Sequence, residues 1–482
     1  MSSVAIHTSE YAPTTELLQL LNPELAWQYG ILPLESRKNE LVLITDRENP
    51  NEFADELELI LGRRIVLRAA SGDYVRTNLG KYYLKSNAEH QSTHRLATAK
   101  RGEEFLPMLI AEARQLGSSD IHIEVFSDRA RVRIRIDGQL VERYVIEKSD
   151  YPALINKIKI KANLDIAEKR LPQDGRIFFQ QGELRFDIRV SVLPTMYGEK
   201  AVLRLLSNDA THIDIRKLGF SERQLRDYLE GVKNPHGILL ISGPTGSGKT
   251  TTLYATLKML NKDTTNIVTV EDPIEYTLEG INQVQLKESI GLGFASALKT
   301  FLRQDPDIIM LGEIRDGETA QMAVRAALTG HLVLSTIHTN SAWGTISRLT
   351  DMGVPPFLIA NTLNKSVAQR LVRILCRKCR GLEKYSPAML PRQMKSVDFD
   401  SVAVAVGCAD CFYTGYKGRK AIYEVVPIDE ELAECIKNGS GSPLAAYKTR
   451  SIQMLSESAY ELLKAGETSC EEVYSILAQS IN

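Results

Sequence analysis

At 482 residues, with 43% hydrophobic and 25% charged content, the chain has an ordinary globular composition and room for three or four units of about 100–200 residues each. A formal net charge of −1 argues against a nucleic-acid binder that works through bulk charge, while local basic patches stay open. Met1–Glu10 lacks the pattern of a secretory signal and no apolar run approaches the ~18–20 residues of a membrane span, so a cytoplasmic chain with at most peripheral membrane contact is expected.

Residues 1–86 read as a small mixed α/β unit. Thr14–Leu21 and Phe53–Leu61 have helical spacing, and Ile31–Leu34, Leu41–Ile44 and Arg64–Ala69 read as strands. No catalytic constellation is visible there, which suggests an interaction module. Residues 87–102 lose periodicity and read as a linker. The unit at 103–207 opens with a helix whose apolar face includes Phe105, Leu109 and Ala113. In Arg131–Ile136 apolar residues and arginines alternate, so the arginines share one face. Asp137-Gly138 is a hairpin turn signal, and Gln139–Ile146 returns as the partner strand. A helix at Tyr151–Ala162 and further strands complete a sheet-rich unit with one basic side. Residues 208–217 read as a polar hinge.

Residues 218–372 alternate strands and helices, as a parallel sheet requires. Within them stands Gly243-Pro244-Thr245-Gly246-Ser247-Gly248-Lys249-Thr250, preceded by the apolar run Gly237–Ile241 and followed by a helix that opens with Thr251. Glycines let backbone N–H groups turn inward around an anion at a helix N-terminus. Lys249 is expected to reach the β- and γ-phosphates of a nucleoside triphosphate, and the Thr250 hydroxyl to take a position on Mg²⁺. Other strand ends carry Glu271-Asp272, Gly312-Glu313 and His338. Many ATPases place a metal-supporting aspartate before the catalytic glutamate, but here Gly312 occupies that position. Glu313 is therefore read as the water-activating carboxylate, Glu271 (with Asp272 behind it) as metal support, His338 as a γ-phosphate sensor and His331 as a packing residue.

Six cysteines are present, four of them in the pairs Cys376/Cys379 and Cys408/Cys411. Two such knuckles suit a closed tetrathiolate Zn²⁺ site at 373–418, and the separation of the pairs costs little because closure entropy grows logarithmically. Cys435 and Cys470 stand alone in helical sequence. The remainder, 419–482, reads as a helical region with helices near Glu430–Lys437, Pro443–Ala465 and Cys470–Gln479.

The chain resembles the secretion-traffic ATPases of type II secretion and type IV pilus assembly. The resemblance is carried by Ser119-Asp120-Ile121-His122-Ile123-Glu124, Gln173-Asp174-Gly175-Arg176, the phosphate loop and Val270-Glu271-Asp272-Pro273-Ile274-Glu275. It continues in Arg303-Gln304-Asp305-Pro306-Asp307, Gly312-Glu313-Ile314-Arg315-Asp316, Thr329-Gly330-His331, Thr336-Ile337-His338-Thr339-Asn340 and the cysteine pairs. It implies a homohexamer of RecA-like ATPase domains, each preceded by a PAS-like domain that supplies arginines to nucleotide. By position those arginines are Arg189 and Arg204, with Arg303 on the ATPase domain; Lys299 stands where relatives often carry another arginine. The implied partners are an inner-membrane platform protein and a cytoplasmic-domain anchor protein, with peripheral association at the inner membrane and no direct nucleic acid. The compact N-terminal unit looks more like the type II branch. A nucleic-acid-dependent translocase is the alternative, but the basic strands lack the interleaved aromatics that single-strand binding uses.

Overall fold

The computed structural model describes residues 13, 15–18, 20–21, 23–37, 40–47, 53–61, 63–83, 105–182, 184–206, 214–391, 394, 399–439 and 444–479. The expected linker at 87–102 lies outside these residues, as does the expected hinge up to residue 213. The last hinge residues, Ile215–Lys217, form a short 3-10 turn capped by the Asp214 side chain.

Three sheets organise the chain, each with its own core. The first joins β1 (Ile31–Arg37), β2 (Glu40–Thr45) and β3 (Arg64–Ala69), with β2 antiparallel to β1 and parallel to β3. Leu41, Leu43 and Ile44 pack there with Leu57, Val75 and Leu79. Two helices in this region, Pro23–Tyr29 and Gly72–Tyr82, were not anticipated. The second is largely polar, with Val75 and Leu79 as its buried i, i+4 pair, and Ser71 caps it by accepting from the Tyr74 N–H.

The second sheet is antiparallel throughout: β4 (Asp120–Val125), β5 (Ala130–Ile136), β6 (Gln139–Ile146), β7 (Gln173–Gln181), β8 (Leu184–Thr195) and β9 (Gly198–Leu205), in the order β6-β5-β4-β9-β8-β7. Ile121, Ile123, Val132 and Ile134 turn one way and pack under helices Phe105–Gln115 and Tyr151–Lys161. The other face carries the alternating charges. Glu124, almost fully buried, accepts from Arg133 at 2.8 and 2.9 Å and from Arg131 at 3.1 Å, and Lys200 stands 3.1 Å away. Asp120 similarly meets Arg204 at 3.2 Å and Arg135 at 3.6 Å. Much of the basic side expected at 103–207 is thus neutralised inside the unit.

The third sheet has the order β12-β11-β13-β14-β10-β15-β18. Its strands are β10 (Gly237–Ser242), β11 (Ile267–Glu271), β12 (Asn282–Gln285), β13 (Ile308–Leu311), β14 (Leu332–Ile337) and β15 (Leu363–Leu375), all parallel, and β18 (Tyr416–Pro427), antiparallel at the edge. Alternate residues of β10 serve opposite faces. Leu239 and Ile241 pack with Tyr228, Leu253 and Leu257, while Ile238 and Leu240 join the cluster of Leu298, Ala323 and Ile346. Helices therefore cover both sides, as a buried parallel sheet demands.

The cysteine pairs lie between β15 and β18, together with the small hairpin β16 (Gly381–Lys384) and β17 (Ser401–Val404). The region expected to be helical from 419 onward thus begins as a strand. Its run Ala421-Ile422-Tyr423-Glu424-Val425-Val426 is rich in the β-branched and aromatic residues that suit a pleated surface. The expected single helix Pro443–Ala465 is two, Leu444–Thr449 and Leu455–Lys464, separated at Ser451 by a left-handed backbone (φ 48°). These helices and Cys470–Gln479 cover the β15/β18 hairpin through Leu462, Leu463, Val473 and Leu477.

Burial alone pushes the Glu124 carboxyl up, but hydrogen bonds from Arg133, Lys200 and Arg131 more than reverse this and hold it at about 2. Because the folded value is depressed, its stabilising contribution is present above the ordinary glutamate value of ~4.3 and is lost as pH falls toward about 2. Glu124→Gln should lower the unfolding midpoint at neutral pH and flatten the acid dependence in that window, as read by denaturant unfolding between pH 2 and 7.

Candidate active site and metal centre

Parallel pairing brings four strand ends together. β11, β13, β14 and β10 are successive neighbours, with Val270 opposite Leu311, Leu311 opposite Ser335, and Ser242 opposite Ile337. The residues that follow are Glu271-Asp272, Gly312-Glu313, His338 and the phosphate loop. Ligands of open α/β sheets bind at this edge.

The loop from Gly243 wraps into helix Lys249–Leu260. Gly248 sits in the left-handed region (φ 85°), and a Cβ on Gly243 would stand 2.5 Å from the Gln369 carbonyl oxygen, so both positions require glycine. Pro244, Thr245, Gly246, Thr250 and Thr251 are exposed, whereas Ser247 and Lys249 are buried. Lys249 Nζ donates to the carbonyls of Gly243 (2.8 Å) and Pro244 (3.0 Å). Burial pushes its ammonium down, Glu313 opposes this and Arg370 adds to it, so both charges are within electrostatic reach of the loop. The Ser247 hydroxyl is buried against Gly243 without a hydrogen-bond partner.

Glu313 accepts from Arg315 through one oxygen, and His338 Nε2 stands 3.1 Å from the other. Two residues on adjacent strand ends are therefore in contact. Arg315 also reaches Asp272 at 3.3 Å. Glu271 is buried, its carboxylate held by Tyr254, by Thr269 Oγ1 at 2.6 Å and by Gln283 Nε2 at 3.0 Å. Tyr254 belongs to the phosphate-loop helix, so this bond ties the β11 end to the loop. A Cβ at Gly312 would stand 3.3 Å from Glu271 Cα, a tight contact that a side chain there would have to relieve. His331 receives no ligand role: its Nδ1 lies 2.9 Å from the Ala326 carbonyl at the end of helix Gly317–Leu328.

Arg189 and Arg204 are paired across β8 and β9. Arg189 donates to the Ile274 carbonyl and stands 3.6 Å from Glu275, so the second sheet already touches the loop after β11. Arg204 stays on its own sheet, on Asp120. Arg303 is exposed and donates to the Lys299 carbonyl at 3.0 Å, while Lys299 pairs with Glu318 at 3.1 Å.

Gln369 and Arg370, which back the loop, carried no signal in the sequence reading. Gln369 Nε2 donates to the Ser247 carbonyl (2.8 Å) and Gln369 Oε1 accepts from Thr252 Oγ1 (2.9 Å). Arg370 donates to the Asn340 carbonyl at 2.8 Å, two residues past His338. Burial pushes the Arg370 guanidinium down while the buried Glu424 opposes it. Gln369 and Arg370 are set between the apolar pairs Val367-Ala368 and Leu371-Val372, a weak pattern in a strand that also carries Asn364, Lys365, Ser366 and Arg373.

The sulfurs of Cys376, Cys379, Cys408 and Cys411 all lie within 4.8 Å of one another, with three pairs at 3.7, 3.8 and 3.9 Å. Ligands about 2.3 Å from a tetrahedral centre would be separated by about 3.8 Å, so the cluster fits a tetrathiolate metal site. The N–H groups of Cys408 and Gly415 donate to Cys411 Sγ at 3.2 and 3.3 Å.

The fold and this edge define a phosphate-loop ATPase. Comparison with known proteins is specific. Residues 95–475 match the model of the type II/IV secretion system protein family, and residues 4–89 match that of the MshEN domain. The type IV pilus assembly ATPase PilB of Myxococcus xanthus is 39% identical over 97% of this chain and 88% of its own length. Type II secretion system protein E of Pseudomonas aeruginosa is 47% identical over 76% of this chain and 73% of its own. Among solved structures, the pilus retraction motor PilT with bound ADP aligns at 27% identity and a TM-score of 0.52, covering 77% of this chain and 96% of that one. The ATPase DotB of Legionella pneumophila, at 21% identity and a TM-score of 0.59 over 78% of this chain and 96% of its own, shows the same fold. The chain belongs to the type II/IV secretion system protein family.

Gln369→Leu would leave the Ser247 carbonyl without its side-chain partner, while the Thr252 hydroxyl keeps Tyr423 and the Gly248 carbonyl, at a cost of ~1–3 kcal/mol in stability. Denaturant unfolding should show this loss, and the KM for ATP should rise more than kcat falls.

Proposed function

We propose that this chain is a homohexameric motor that hydrolyses ATP to drive assembly of pilin-like subunits at an inner-membrane platform. The observation that carries the reading is the Glu313–His338 pair beside the phosphate loop, within electrostatic reach of Lys249. ATP phosphates would lie in the loop from Gly243 to Thr251, with Lys249 turning from the loop carbonyls to the β- and γ-phosphates. Thr250 would hold Mg²⁺, which neutralises phosphate charge when bound, and Glu271 would join it only by exchanging its bonds from Tyr254, Thr269 and Gln283. Glu313 orients the attacking water and takes its proton, and His338 senses the γ-phosphate from the neighbouring strand end.

In this reading the ATPase domain is RecA-like and 103–207 is a PAS-like arginine domain. Arg189 would leave Ile274 and Glu275 for nucleotide, Arg204 would leave Asp120, and Arg303 would approach from the end of its helix. An arginine that arrives with domain closure stabilises the charge spread over the transferring phosphoryl oxygens.

The pilus assembly relative aligns over 97% of this chain and the type II relative over 76%, which favours pilus assembly over the type II leaning of the N-terminal sequence. No helix among the described residues is long and apolar enough to cross a membrane, so association with the inner membrane would run through a platform protein and an anchor protein. The nucleic-acid reading is weakened further, because Arg131, Arg133, Arg135 and Arg204 are already paired with acids of their own sheet.

Glu313→Gln tests the central assignment. It should keep ATP binding and lower kcat by ~10²–10⁴ in a steady-state phosphate-release assay. Collapse of nucleotide affinity with kcat intact would instead make Glu313 a binding residue.

The metal is assigned as Zn²⁺, held by Cys376, Cys379, Cys408 and Cys411. Elemental analysis should give about one Zn²⁺ per chain, lost in Cys376→Ser/Cys379→Ser with increased proteolysis between 376 and 411. ATP binding should survive the loss.

A further inference from the structure

Arg315 lies in the short turn between β13 and helix Gly317–Leu328, and both of its neighbours are fixed. Ile314 is buried and its N–H donates to the Thr336 carbonyl at 2.9 Å, which zips the β13 end to β14. Asp316 caps the following helix by accepting from the Thr319 N–H at 2.8 Å. The Arg315 backbone is thus held from both sides, and its guanidinium meets two acids from two strand ends. It engages Glu313 Oε1 through Nε and Nη2 and reaches Asp272 Oδ2 at 3.3 Å. His338 takes the opposite oxygen, Glu313 Oε2, at 3.1 Å.

We propose that Arg315 is a positioning residue for ATP hydrolysis, fixing one oxygen of Glu313 against Asp272 so that the other, shared with His338, is presented to the attacking water. The inference rests on the reading of Glu313 as the water-activating carboxylate. A carboxylate with two equivalent oxygens turns freely about its last bond. A planar guanidinium that grips one oxygen removes that freedom, and Asp272 keeps the guanidinium itself from swinging away. The side chains of Arg315 and Asp272 are 50% and 42% exposed, so their ion pair adds little to stability. What it supplies is geometry, and misplacement of a reacting group by ~1 Å can cost ~10²-fold in rate.

The test is a double-mutant cycle on the full chain, with Mg-ATP as substrate and kcat and KM read separately. Arg315→Ala should lower kcat by ~10²-fold with KM nearly unchanged. Glu313→Gln should lower it by ~10²–10⁴. The double variant should be no slower than Glu313→Gln alone, because Arg315 acts only through that carboxylate. Arg315→Lys should recover a small part of the rate, since an ammonium keeps the charge and loses the fork. Should Arg315→Ala fail to fold, Arg315→Gln and Arg315→Lys carry the same cycle.

A wild-type kcat in Arg315→Ala overturns the proposal. So do effects that multiply in the double variant, which would put Arg315 on the nucleotide itself, and so does full recovery by lysine, which would make charge alone sufficient. If Glu313→Gln retains wild-type kcat, the Glu313 reading fails and takes this inference with it. That case is recognisable from the single variant.

Discussion

A nucleotide loop must be held from behind, and here the pairing of β10 with β15 does this. Ser242 lies opposite Ala368, so the next residues of the two strands, Gly243 and Gln369, are driven together, and only a residue without a Cβ fits. Gln369 then spans the loop, donating to Ser247 at its middle and accepting from Thr252 on the helix that follows. Arg370 ties the same strand to the segment after His338. Phosphate loop and His338 are therefore referred to one strand. Preorganised dipoles of this kind do not have to reorganise when charge develops.

Charge at this edge is balanced pair by pair. Lys249 has loop carbonyls and Glu313 nearby, Arg315 has Glu313 and Asp272, and Arg189 has Glu275 and the Ile274 carbonyl. A triphosphate brings negative charge into this set. Cations that enter with partners can exchange a carboxylate or carbonyl for a phosphate oxygen, which costs less than bringing an unpaired charge into a partly buried site. The tie from Tyr254 to Glu271 has another character. It is buried and joins the phosphate-loop helix to the β11 end, so movement of either is felt by the loop that Arg189 touches.

The parts of the site visible in the sequence are those whose chemistry is local. The phosphate loop and the two cysteine pairs announce themselves through spacing, because each is built from residues close together in the chain. Glu313 and His338 were each legible as a polar residue ending an apolar strand. Their contact was not, because it depends on β13 and β14 being sheet neighbours. Gln369 and Arg370 stay hidden because each acts on a segment far away in the chain, and Arg315 because the second acid it bridges, Asp272, ends a different strand from Glu313. The alternation in Arg131–Ile136 predicted a basic face correctly, but the acids that neutralise it sit on β4, beyond the reach of periodicity. The strand Tyr416–Pro427 carries a local β-branched and aromatic signal, but its pairing is not legible because its partner precedes the whole cysteine region.

That placement decides what a metal in the tetracysteine cluster can and cannot do. β15 and β18 pair from Lys365 opposite Pro427 to Leu375 opposite Tyr416, so the module closes a loop on a ladder that is already long. Closure entropy grows only logarithmically with loop length, and a slack loop there would barely weaken the ladder or the phosphate loop beyond it. The module's outer side is different. The Gly418 N–H donates to Asp137 at 2.6 Å, Arg419 stands 3.7 Å from the same carboxylate, and Arg143 lies over the Phe412 ring at 5.3 Å. Asp137 is in the β5–β6 turn of the arginine-bearing sheet. Gly418 and Arg419 belong to β18 and are placed by the ladder, so a metal that held the knuckles would bear on the Arg143–Phe412 contact. Its effect would fall on how that contact joins the two sheets, not on the nucleotide site itself.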